Sequence, residues 1–429
     1  MRPNILLITS HDTGRHLGCY GVEQVNSPRI DALSAGGVRM GHYFATVPIC
    51  CPSRASMMTG RYPQSHGLMD LCFPPFDWEM HEGERHLSHL LRDAGYHTRL
   101  FGIQHEVSDG CLPRLGFDVL PEGPRPTCDA VAAEVVRFLG EQRSAERPFY
   151  AQVGFFETHS PFTWGGAEPD ESRGLCIPPY VRPPEAIRGM ARELQGSIRK
   201  MDAAVGAIAD ALEAAGLAGN TILIYTTDHG IEFPRAKWTL YDPGIGIAMI
   251  ARWPAGGVAG GRVCDRLQSN VDFLPTVLEL AGLPVPGNVQ GRSFAGALTG
   301  QGEPPERGEV FALYAKRFQG RCVRTRDFKL IRNFDIDRYY RRPVDFTDYD
   351  DYGVTPNLEL YDLRADPNEF ANLAADPARE EIRRELGKRL LGWLREVDDP
   401  ILRGPLRTPF YERSLRELRE EGRRTEEKL

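Results

Sequence analysis

The chain has 429 residues, 41% hydrophobic and 26% charged, the balance of an ordinary globular protein with a large buried core. Its formal net charge of −7 excludes general attraction to nucleic acid or anionic membranes, so a site for an anionic substrate must be locally basic. The sequence contains no run of about 18 apolar residues, so no transmembrane helix is expected. The nine scattered cysteines, an odd number, argue for a reducing, cytoplasmic compartment rather than a disulfide framework.

Asn4–Thr9 is an apolar run that predicts a first buried strand; it is too short for a signal peptide and lacks a small-residue cleavage site. Ser27-Pro28-Arg29 opens a capped helix with proline in its first turn, and Pro52 opens another that runs to Gly60. Leu87–Ala94 has helical spacing and stops at Gly95, and His97–Gly102 follows as a short strand. An amphipathic helix over Cys128–Leu139 leads to a strand over Phe149–Phe156. Next come a helix over Leu194–Ala215, a strand over Thr221–Thr227, a strand over Gly246–Ala251 and a helix over Asp272–Ala281. Strands separated by helices imply an α/β fold with a large, mostly parallel sheet sandwiched by helices, whose ligands bind beyond the carboxyl ends of the strands.

The stretch Leu298–Gly308, rich in Gly, Pro and charge, closes a catalytic domain placed at residues 1–305. Short strands at Val310–Tyr314, Arg321–Arg324 and Lys329–Phe334, with a helix over residues 376–395, predict a smaller C-terminal α+β domain with an antiparallel sheet at 306–405. The tail, 406–429, is almost all Arg and Glu from Ser414 onward; it is expected to be a solvated helix or disordered, and could reach a neighbouring subunit in a homo-oligomer.

Three constellations could carry chemistry. His11-Asp12 ends the first strand and Asp228-His229-Gly230 ends the strand Thr221–Thr227. Either pair alone also fits a turn with a satisfied histidine. Together they offer carboxylates and imidazoles where such a sheet places its site, a donor set for a divalent cation. The third is Cys50-Cys51-Pro52-Ser53-Arg54, with Cys50 at a helix N-terminus, where free N–H groups favour anions, and Arg54 one turn on. A buried Cys pair before an ordinary helix fits the same residues.

The run Cys50–Arg61, with its Cys-x-Pro-Ser-Arg opening and Thr-Gly-Arg ending, resembles the signature of the formylglycine-dependent sulfatases, in the alkaline-phosphatase-like superfamily. Pro3-Asn4-Ile5, Leu17–Gly21, Ser27–Leu33 and Leu360-Tyr361-Asp362-Leu363 with Asp366-Pro367, Glu369 and Asn372-Leu373 are similar to further family motifs in the same order. The resemblance covers residue 3 to about 373 and is nearest the sulfamidase-like branch. It implies that a formylglycine-generating enzyme oxidises Cys50 to the aldehyde formylglycine. One hydroxyl of the hydrate would attack sulfur and expel the alcohol or amine; the other would then lose a proton so that C–O cleavage frees sulfate.

Carried over by position, the metal ligands would be His11, Asp12, Asp228 and His229, around calcium as the family's usual ion or manganese, magnesium or zinc given the imidazoles. Arg54 would hold the formylglycine, His105 help deprotonate its hydrate, His159 protonate the leaving group and Lys237 grip the sulfate. The substrate implied is a small anion such as a sulfated sugar or aryl sulfate.

Two positions depart from the family pattern. His11-Asp12 stands where Asp-Asp is usual, and Ile103 stands where Gly-Lys-x-His has its lysine. One lost negative and one lost positive charge roughly cancel. The related phosphonate monoester hydrolases and phosphodiesterases also lack that lysine and pair Asp with His, which makes them the alternative reading. A binding protein that had lost catalysis would lack part of the set, yet all its members are present. Among the remaining features, His81, His86 and His89 among charged neighbours suggest a solvated face, and His66 could line the pocket. Cys72–Trp78 with Phe162-Thr163-Trp164 could form an aromatic wall, and Tyr339-Tyr340-Arg341-Arg342 a basic rim.

Overall fold

The computed structural model describes residues 2–181, 184–302, 307–316, 319–334 and 356–426. The larger sheet holds β1 (Asn4–Ser10), β2 (Val38–Phe44), β3 (His97–Gly102), β4 (Phe149–Gly154), β5 (Thr221–Thr227), β6 (Met249–Arg252) and β7 (Arg262–Ser269). Their order is β3-β4-β1-β5-β6-β2-β7. β1 lies parallel to β4 and β5, β3 to β4 and β2 to β7, while β6 runs antiparallel to both its neighbours.

Successive strand residues point to opposite faces, and in β1 both faces are covered. Leu6 and Ile8 pack into the cluster built by the helices Cys128–Glu141 and Arg188–Ala214, with Val131, Val135, Ile198 and Val205. Ile5 and Leu7 pack on the other side with Ala55 and Met58 of the helix Cys50–Thr59. The continuous apolar run of this strand thus records burial on two sides, worth roughly 1.5–3 kcal/mol for each large aliphatic side chain.

The smaller sheet is antiparallel, in the order β11-β10-β9-β8, built from β8 (Val310–Tyr314), β9 (Gly320–Arg324), β10 (Phe328–Asn333) and β11 (Leu358–Asp362). One face carries Val323, Leu330 and Leu360 against Leu386, Leu390 and Trp393 of the helix Glu380–Glu396. Trp393 also stacks on Phe311 with ring centroids 4.9 Å apart. The other face puts Ala312, Cys322, Ile331 and Tyr361 into the same cluster as Ile5 and Met58. The buried Arg321 is held bidentately by the equally buried Asp399, at 2.6 and 2.9 Å.

Several expectations shift. The long helix begins at Arg188, and the strand expected from Gly246 begins at Met249 because Asp242–Ile245 forms a short helix that ends at Gly246. β2 and β7 were not expected: Arg39 and His42 interrupt one, and Arg262, Asp265 and Arg266 the other, so neither shows an apolar run. His86 is buried rather than solvated, because its Nδ1 accepts the Ser88 N–H at 3.1 Å and caps the helix Leu87–Asp93. The tail forms a helix over Pro409–Glu426, and Arg413 pairs with Asp77 of its own chain. Tyr339-Tyr340-Arg341-Arg342 lies outside the described residues. No described helix is long and apolar enough to cross a membrane.

Candidate active site

Four strand ends converge on one buried cluster. β1 ends in His11-Asp12, β3 leads to His105, β4 to His159, and β5 to Asp228-His229 with Lys237 in the following loop. Cys50 and Arg54 come from the helix Cys50–Thr59, whose residues are all buried. Asp12 and His105 adopt left-handed backbone angles, φ 44° and 63°, which is uncommon outside glycine and recurs at functional sites. Gly230 is needed for another reason: a Cβ there would lie 1.8 Å from the Pro243 carbonyl oxygen, so only glycine lets this loop fold back so tightly.

At the centre, His11 Nδ1 lies 3.0 Å from Asp228 Oδ2, and His229 Nε2 lies 3.0 Å from Asp12 Oδ1. His11 Nδ1, Asp12 Oδ1 and His229 Nε2 nonetheless make no aligned hydrogen bond among the described residues. His229 Nδ1 faces the Gly230 carbonyl at 2.9 Å and must carry the proton there, which leaves a lone pair on Nε2 turned to a carboxylate. Two buried lone pairs cannot rest 3.0 Å apart without positive charge between or on them. Burial opposes charging His229, yet Asp228 and Asp12 raise its pKa to about 10. The donor set and its charge demand fit a divalent cation, which His11, Asp12, Asp228 and His229 could hold.

Positive charge surrounds this core. Lys237 Nζ reaches Asp12 Oδ2 at 2.6 Å, Glu232 Oε2 at 3.1 Å and His159 Nε2 at 3.4 Å. Burial tends to raise the Asp12 pKa, but Lys237, His229 and His159 hold it well below the usual range. Arg54 donates to Asp228 Oδ2 at 3.1 Å, Thr9 Oγ1 at 2.9 Å and the Ser10 carbonyl at 3.3 Å, so its hydrogen bonds fix the carboxylate rather than Cys50.

A nucleophile position lies beside these groups. Ligand atoms of Cys50, His11 and His105 lie within 4.8 Å of one another. A hydrogen bond with Cys51 and then burial hold the Cys50 thiol well above its ordinary pKa, so the unmodified side chain stays protonated. His105 packs edge-on to His11 at 4.6 Å and to Phe73 at 4.7 Å. His159 stacks on Phe156 at 4.8 Å, and Trp164 meets that ring edge-on.

All nine residues singled out from the sequence therefore share one cluster. Phe73 and Trp164 adjoin it, whereas Phe162 is buried in the core. His66 is also buried, bound to Ser56 Oγ at 3.1 Å under the Cys50 helix, a packing role. Three neighbours were missed. Glu232 anchors Lys237 and accepts Ser160 Oγ at 2.8 Å. Asn270 donates to the Ser53 hydroxyl and carbonyl, both at 2.9 Å, and steadies the helix start. Glu106 is buried beside Arg54, and burial raises its pKa to about 8 against the pull of that cation. Each follows a strand end or a site residue, the only signal available.

The sulfatase family model matches residues 3–283, well over half of the sequence. The chain belongs to the sulfatase family. A second family model, for the C-terminal part of N-sulphoglucosamine sulphohydrolase, matches residues 235–396 of this sulfatase. It is similar to a Formosa agariphila protein named ulvan-active sulfatase, 28% identical over 93% of this chain and 76% of that one. It is also similar to human N-sulphoglucosamine sulphohydrolase, 27% identical over 94% of this chain and 92% of the human one. Family and relatives make it a sulfuric ester hydrolase. Among solved structures, the phosphonate monoester hydrolase of Agrobacterium radiobacter superposes with a TM-score of 0.74 at 21% identity, covering 92% and 96% of the two chains. That likeness concerns the fold alone.

Proposed function

We propose that this sulfatase hydrolyses a sulfate ester or sulfamate of a small sulfated sugar or aryl compound, using formylglycine made from Cys50 and one divalent cation held by His11, Asp12, Asp228 and His229. The observation that carries the reading is the convergence of those four ligands on Cys50 with Lys237 beside them. The relatives' names, sulfatase and sulphohydrolase, support a sulfated sugar.

The residues divide the work by position. Lys237 presents its ammonium where sulfate oxygens would gather, and Glu232 and Asp12 keep it charged and aimed. His159 Nδ1 points at the Ser160 carbonyl at 2.6 Å, so the neutral ring has its lone pair on Nε2, and the charged ring can give that Nε2 proton to a leaving alcohol or amine. His105 stands next to Cys50 with Nδ1 buried and unpartnered among the described residues, placed to take a proton from the nucleophile. Arg54 locks Asp228 and offsets charge around Cys50. Formylglycine supplies a second hydroxyl, which a thiol lacks, and the cation supplies Lewis acidity; calcium is the family's usual ion, with manganese, magnesium or zinc as alternatives.

The second reading is phosphonate monoester or phosphodiester hydrolysis by the same residues, favoured by Ile103 and the Asp228-His229 pair. Rates on matched aryl sulfate, phosphonate and phosphodiester compounds separate the two. Sulfate is expected to lead; a phosphodiester preference of several hundredfold would reverse the assignment. The Cys50 peptide of active enzyme is expected to be roughly 18 Da lighter than its cysteine form. Nine free cysteines support a reducing, cytoplasmic compartment, where a formylglycine-generating enzyme would meet the chain.

A further inference from the structure

A cavity of about 760 Å³ lies where the loop after β1 meets β2, β9 and residues 363–368, and none of the nine candidate site residues lines it. In a chain of net charge −7, its wall gathers Arg15, Arg324, Arg326 and Arg364. Three of these have carboxylate partners, of which Asp242 and Asp327 line the same cavity: Arg324 pairs with Asp242 at 2.9 Å, Arg326 with Asp265, and Arg364 lies 3.5 Å from Asp362 and 3.7 Å from Asp327.

Arg15 differs. Its Nε donates to the Ile247 carbonyl at 3.3 Å and Nη2 to the Tyr43 carbonyl at 2.8 Å, while Nη1 has no hydrogen bond and no carboxylate pairs with it among the described residues. Its guanidinium packs on the Phe44 ring at 4.7 Å, and that of Arg324 packs on the same ring at 4.4 Å. Burial depresses the Arg15 pKa, and Asp242 opposes it while Arg324 and Arg39 add to it. Two imidazoles also line the cavity, and His42 Nε2 faces Asp265 Oδ1 at 3.0 Å, so its neutral ring has the lone pair on Nδ1. His42 Nδ1 is buried without a partner, and the ring of His16 makes no hydrogen bond among the described residues. Pro178, Pro179, Tyr180 and Leu363 also line the cavity and offer apolar surface that suits a ring.

We propose that this cavity is a second, non-catalytic anion site that takes a tetrahedral oxyanion, inorganic sulfate or the sulfate group of a sugar, with Arg15 as its anchor. Guanidinium forks match such anions in geometry and charge, and an anion here relieves the crowding of Arg15 and Arg324 around one ring. Sulfate alone leaves most of the volume unfilled, so a sugar ring against the apolar lining residues fits the same space. The site does not depend on the catalytic reading, because it needs neither Cys50 modification nor a metal.

Calorimetric titration of the full chain with sodium sulfate at constant ionic strength tests this. The unaltered protein is expected to bind two sulfates. Arg15→Met is expected to weaken one of them at least tenfold while leaving turnover of an aryl sulfate unchanged, and Lys237→Ala to remove the other. A single site, lost in Lys237→Ala and untouched in Arg15→Met, would overturn the proposal. If Arg15→Met does not fold, Arg364→Gln on the exposed rim decides: a severalfold weaker second site with an unchanged melting temperature supports it, and unchanged affinity overturns it. Glucosamine 6-sulfate titrated in parallel identifies the source. Tighter binding than inorganic sulfate marks a sugar subsite, weaker binding marks a site for free sulfate, and either outcome supports the assignment. Binding of inorganic phosphate with no binding of sulfate would overturn the assignment of sulfate as the ligand.

Discussion

Lys237 Nζ stands 2.6 Å from Asp12 Oδ2, so the ammonium proposed to hold the substrate is fastened to a carboxylate proposed to hold the metal. Removing it costs both functions. Lys237→Ala is expected to lower kcat/KM on an aryl sulfate by about 100-fold or more, the scale of losing one fixed charge at a developing anion. Steady-state kinetics check this, and an effect confined to KM and smaller than about tenfold would contradict it.

Chelation should silence the enzyme. Dialysis against a strong chelator is expected to abolish turnover and lower the melting temperature, and adding back a divalent ion to restore both. At a metal concentration of a hundred times Kd, the stabilisation amounts to about 2.7 kcal/mol. Asp228→Ala should show no metal-dependent rise in melting temperature, since it removes a carboxylate that His11 faces at 3.0 Å.

The Arg321–Asp399 pair is a prediction about stability alone. Both side chains are fully buried, and Gln64 donates to Asp399 at 2.7 Å. Asp399→Ala leaves a buried guanidinium without its anion and is expected to destabilise by about 3–5 kcal/mol in denaturant unfolding. A loss within the range of an ordinary surface substitution would contradict the buried geometry.

Glu369 sets a pH dependence. It shares the Lys329 ammonium with Asp242, at 2.8 and 2.6 Å. Burial raises its pKa from 4.5 to about 7 against the pull of Lys329. A raised carboxyl pKa means that the folded chain holds a proton that the unfolded chain has lost between those two values. Stability from this group is therefore full below about pH 4.5, falls as pH rises, and levels off above about 7. Urea unfolding across the window should show that slope, and Glu369→Gln should remove it.

The candidate ligand pairs His11-Asp12 and Asp228-His229 were legible because β1 and β5 are continuous apolar runs, and a polar pair directly after such a run marks a strand's carboxyl end. His105, His159 and Lys237 were not legible that way. Single residues in loops carry no periodicity, and only the likeness of neighbouring motifs pointed to them. Asn270 escaped because it follows β7, whose alternating charges hide the strand. His86 was misread because its neighbours Glu84 and Arg85 are charged, whereas its burial comes from capping, a local hydrogen bond that composition does not register.

All ten residues from Cys50 to Thr59 are buried, and Cys50 itself is only 4% exposed. A second enzyme could not reach a side chain held this way in the folded molecule. On the proposed reading, conversion of Cys50 then belongs to synthesis, before this helix is packed into the fold. The same reading implies that folded protein still carrying the Cys50 thiol keeps its native shape, lacks activity and is not rescued by later exposure to a formylglycine-generating enzyme.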